Sequence, residues 1–122
     1  MKLKLFAAAL ALAATPAFAH GDDKPRHGGQ VVEVGDTVFE LVKAPAGVTL
    51  YIMEDGDEVP TAAMTGKMIV SAGAKKTDVP LVAAGANRLA AKGAKVPDGA
   101  RVSVMVIDSK TQVRQSAIFQ TK

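Results

Sequence analysis

The chain has 122 residues and only two histidines, His20 and His27, seven positions apart. Ahead of them lie a basic start (Lys2, Lys4), an apolar run from Leu5 to Ala14, Pro16, and the small-residue signal Ala17-Phe18-Ala19. That pattern predicts a secretory signal peptide over residues 1–19, cut after Ala19. Cleavage would make His20 the first residue, so that its free α-amine and near imidazole nitrogen close a chelate ring. His27 would add a third nitrogen. Three nitrogens in a T-like plane suit Cu(II), which stands at the top of the divalent affinity order, although zinc, nickel or cobalt would also fit. An α-amine with a pKa near 8 leaves only modest proton competition at neutral pH. Asp22 or Asp23 would supply a supplementary oxygen. The competing amino-terminal copper motif needs histidine at the third position after cleavage, and Asp22 stands there. The bland alternative is a solvated leader, His20 to Arg26, with no chemistry.

Other ligand classes are scarce. The chain has no cysteine, which removes disulfides and thiolate sites and points away from structural zinc. Met53, Met64, Met68 and Met105 offer thioethers for Cu(I). Met64 and Met68 are four apart and are expected to share a face only if that stretch is helical. Methionines in an aromatic-poor chain more commonly fill a core. The acidic run Glu54 to Glu58 lacks the ligand spacing of an EF-hand loop and reads as a solvated turn. Ser71, Ser103, Ser109 and Ser116 have no nucleophile-elbow context and no histidine outside the arm to act as base. No glycine-rich phosphate loop is present. The reading is therefore not an enzyme, with no catalytic residues.

Removing residues 1–19 leaves 103 residues, enough for one domain with a modest core. The formal charge of +3 includes Lys2 and Lys4, so it falls to +1 on cleavage. Only Phe39, Tyr51 and Phe119 are aromatic beyond residue 19. Without a basic stripe or interleaved aromatics, nucleic-acid binding has no support. The apolar run is too short for a membrane anchor, and no cysteine follows the cut for lipidation. Export implies a periplasmic or secreted location, and the periplasm is the expected one.

The elements that must position the histidines read as strands. Val31–Val34 and Thr37–Val42 flank a Gly35-Asp36 turn, with Phe39 and Leu41 on one face and Val38, Glu40 and Val42 on the other. Further runs are expected at Val48–Met53, Lys67–Ser71, Thr77–Val82, Arg88–Ala91, Arg101–Ile107 and Gln112–Phe119. Pro80 implies an edge strand or a bulge. Alanine-rich 62–67 and 83–89 could each hold a helical turn. This predicts an all-β fold, an antiparallel β-sandwich (Ig-like) of about seven to eight strands, with a partly closed barrel as the alternative. It would span 30–122 as one domain, preceded by a flexible arm over 20–29.

The stretch His27-Gly28-Gly29-Gln30-Val31-Val32-Glu33-Val34-Gly35-Asp36, running into Phe39-Glu40-Leu41-Val42, carries a resemblance. It is similar to small periplasmic β-domain proteins of copper and cobalt–zinc–cadmium resistance, and to domains heading some heavy-metal efflux adaptors. The similarity continues through Leu50-Tyr51-Ile52 and Gly85-Ala86-Asn87-Arg88-Leu89. It implies a periplasmic β domain that handles metal, with His27 the one ligand inside the matched motif. A looser similarity is to periplasmic copper-resistance carriers, whose chains also begin with histidine. Those take a further histidine from within the sandwich, and this chain has none after His27. Lytic polysaccharide monooxygenases share only the leading histidine. The expected function is carriage, buffering or delivery of metal to an efflux system. The rival is a non-catalytic interaction module or accessory subunit with an inert arm.

Overall fold

The computed structural model describes residues 24–122. Short apolar–polar alternations separated by glycine turns give nine antiparallel strands among the described residues, and no helix. They are β1 (Gln30–Val34), β2 (Thr37–Ala44), β3 (Gly47–Glu54), β4 (Asp57–Glu58), β5 (Met64–Ala72), β6 (Lys75–Ala83), β7 (Arg88–Lys92), β8 (Arg101–Asp108) and β9 (Arg114–Gln120). The all-β antiparallel class expected from the strand spacing is the class the chain adopts. The strands join into one sheet in the order β1-β2-β3-β7-β6-β5-β8-β9, with β4 hanging on the end of β3. That sheet is nearly closed into a barrel. At the seam between β1 and β9 side chains bridge the strands: Gln30 Nε2 donates to the Gln120 carbonyl at 2.9 Å. Close by, Gln115 Nε2 donates to Thr37 Oγ1 at 2.8 Å.

The interior is filled from every wall of the barrel. Phe39 and Leu41 of β2, Leu50 and Ile52 of β3, Met68 of β5, Leu81 of β6, Leu89 of β7, Val102 and Val104 of β8 and Phe119 of β9 form one buried cluster. The period of two that buries these residues sends Val38, Glu40 and Val42 to the outer face of β2 and Tyr51 and Met53 to the outer face of β3.

Differences from the expected elements have local causes. Residues 62–67 and 83–89 hold no helical turn. Met64–Ala72 is instead a continuous strand laddered to β6 and β8. A shared face did not need a helix: Met64 and Met68 lie on one face of this strand, because positions four apart do so at a period of two, but they stand about 13 Å apart along it. Met68 is fully buried in the core. The last strand begins at Arg114 rather than Gln112, because Gln112 turns left-handed at φ 60°. Pro80 pairs with Lys67 on one side, whereas the ladder to β7 takes only Val82 and Ala83, so the proline sits on an open flank of β6. The acidic run is a hairpin turn in which Asp55 and Gly56 both adopt positive φ.

Candidate functional site

Glu40 stands mid-strand on the outer face of β2, between Val31 of β1 and Tyr51 of β3 in the cross-strand register. An outward carboxylate would ordinarily face water. Glu40 is only 5% exposed, because the segment before β1 folds back over it. Three backbone N–H groups of that segment converge on the carboxylate. Arg26 donates to Oε1 at 3.0 Å, and His27 and Gly29 donate to Oε2 at 2.8 and 2.9 Å. The His27 ring adds a fourth contact, Nδ1 to Oε1 at 3.0 Å. Successive amides turned toward one anion form a nest.

Glycine makes this turn possible at two positions. Gly28 adopts φ +74°, in the left-handed region. A Cβ on Gly29 would lie 2.3 Å from the Leu41 carbonyl oxygen and 2.8 Å from Val42 Cγ2. The Gly-Gly pair thus serves one purpose, laying the arm flat on β2 with its amides aimed at Glu40.

The imidazole is fixed on its other side by an aromatic contact. His27 and Tyr51 stack with ring centroids 3.6 Å apart and planes 6° from parallel. The His27 side chain keeps 38% of its surface exposed. A narrow cavity opens between the arm and the sheet, lined by Lys24, Arg26, His27, Val31, Val38, Glu40, Tyr51, Met53 and Gly56. Met53 at its edge is held by Asn87, whose Nδ2 lies 3.5 Å from the sulfur and donates to the Ile52 carbonyl at 3.1 Å. Burial pushes the Glu40 carboxyl up. The hydrogen bonds from Gly29, from the His27 ring and from the amides of His27 and Arg26 outweigh that and hold it below its ordinary 4.5.

Of the residues expected to hold metal, His27 is in this site. His20, Asp22 and Asp23 lie outside the described residues. Among the described residues no group of three or more histidine, aspartate or glutamate side chains is close enough to hold an ion. Sequence reasoning missed Glu40 and Tyr51. The available signal was a lone carboxylate between two valines on the outward face of β2, opposite a tyrosine on the next strand.

The chain matches no protein-family model, no curated protein and no solved structure.

Proposed function

We propose that this is a periplasmic metal-binding protein, a carrier or buffer for Cu(II) that delivers the ion to a component of a metal efflux or resistance system. The observation that carries the reading is the anchoring of His27. Its imidazole is held by Glu40 on one nitrogen and by Tyr51 on one face, yet it remains partly open to solvent. A carboxylate on the remote nitrogen is the usual outer partner of a metal-binding histidine. The chain ahead of the clasp that Arg26 to Gly29 form over Glu40 carries the remaining expected donors: the His20 amine and imidazole, with Asp22 or Asp23 as an oxygen. Such a set is nitrogen-rich and free of thiolate, which suits Cu(II) ahead of zinc, nickel or cobalt. The resemblance to heavy-metal resistance proteins runs through the same stretch, His27 to Val42. No catalytic role is part of this reading.

The test is a Cu(II) titration of protein beginning at His20, beside a sample with one extra residue in front of it. The extension removes the α-amine from the chelate. One tight equivalent, weakened in the extended sample, is the expected result. Weak and equal binding in both would contradict it. That outcome would favour a second reading, an interaction module or accessory subunit. In that case Gly28, Gly29 and Glu40 serve only to pin the arm, a role their geometry fully accounts for.

A further inference from the structure

The clasp does more than pin the arm, because its hydrogen-bonding pattern dictates where the proton of the His27 ring must sit. Both oxygens of Glu40 are already acceptors. Oε2 takes the amides of His27 and Gly29, and Oε1 takes the amide of Arg26. A carboxylate so surrounded by donors has no hydrogen of its own to offer. The 3.0 Å contact from Nδ1 to Oε1 is therefore a hydrogen bond only if Nδ1 carries the hydrogen. The stack on Tyr51 keeps the ring in the plane that makes this contact. A neutral imidazole has one ring hydrogen, so Nε2 is left with its lone pair.

We propose that Glu40 is the positioning residue of the His27 site: it fixes the Nδ1–H tautomer and so presents Nε2 as the ring's ligand atom. The use of Nε2 by a metal rests on the function proposed above. The fixing of the tautomer does not.

Glu40→Gln separates the two. Its amide group fits the same space with one acceptor and one donor end. Setting the NH2 at the Oε2 position would oppose two backbone N–H groups, and setting it at the Oε1 position opposes only one. The second arrangement is favoured, and it points an N–H at Nδ1. The ring hydrogen then moves to Nε2, blocking the ligand atom while the arm keeps the amides of His27 and Gly29 docked.

The experiment is long-range 1H–15N NMR of the His27 ring in metal-free protein, on the alkaline side of imidazole titration, for the natural sequence and Glu40→Gln. The expected result is Nδ1–H in the former and Nε2–H in the latter. Cu(II) affinity should fall ten- to a hundredfold in the variant, as for loss of an outer-sphere partner. An Nε2–H ring in the unaltered protein would overturn the proposal, and that spectrum needs no variant to fold. The same tautomer in both proteins would also overturn it. A switched tautomer with unchanged Cu(II) affinity would overturn the ligand role of Nε2. Absence of binding by either protein, with the tautomers as expected, would contradict metal carriage and leave Glu40 as the residue that sets the ring.

Discussion

Two outer faces of the same barrel each carry a carboxylate with a side-chain partner, and they differ in almost everything else. On β5 and β6, Lys67 Nζ lies 3.2 Å from Asp78 Oδ2, with the two side chains 49% and 64% exposed. On β2, Glu40 is nearly sealed and takes four hydrogen bonds, all from the arm. Strand alternation put Lys67, Asp78 and Glu40 on the outside, whereas His27 reaches Glu40 from the arm ahead of β1. What converts one into an organised site is a cover of four residues, Arg26 to Gly29, shaped by two glycines. A solvated pair gains little because water competes for both partners. A carboxylate enclosed by donors is a strong acceptor, and a costly group to leave unpaired.

The largest effect is expected at Glu40. Glu40→Ala leaves the Arg26, His27 and Gly29 amides without their acceptor and should destabilise the fold by about 2–3 kcal/mol in urea unfolding. Hydrogen exchange at those amides should rise together, whereas β8 and β9 stay protected. The same carboxylate gives a pH signature. Its folded pKa lies below its unfolded one, so the unfolded chain binds more protons on acidification. The stability it contributes is present above the ordinary carboxylate pKa and is lost as pH falls through the lowered folded value. The difference in stability between the natural protein and Glu40→Ala should therefore shrink toward acid.

Gly29→Ala should act through the same contacts without touching a charge. Its methyl group would overlap the Leu41 carbonyl, lifting the arm at a cost of about 1–2 kcal/mol. His27→Ala removes the stack and one hydrogen bond but leaves the three amides on Glu40. About 1 kcal/mol of lost thermal stability is expected, with the arm still protected from exchange. Lys67→Ala on β5 should change stability by no more than about 0.5 kcal/mol, and that small change should fade with added salt.

Much of this fold was legible in the sequence, because period-two alternation and glycine turns are local signals. Eight of the nine strands lie where the apolar runs predict, and β4 is only two residues long. The closing of the sheet was not legible. Strand order depends on which runs meet across the barrel, and side-chain bridges such as Gln30 to Gln120 leave no periodic trace. The site was legible by half. His27 stood out by rarity, and the two glycines beside it were visible as a motif. Glu40 was placed on the correct face of β2, but its partners are backbone amides, which every residue type except proline carries. No residue pattern announces where three of them will converge.

The copper site proposed on the arm stands or falls with His27. The most direct measurement is electron paramagnetic resonance of one equivalent of Cu(II) on protein beginning at His20, with and without His27→Ala. Coupling to three nitrogens in the natural protein and to two in the variant, with weaker binding, is the expected result. Identical spectra and affinities in the two would contradict it.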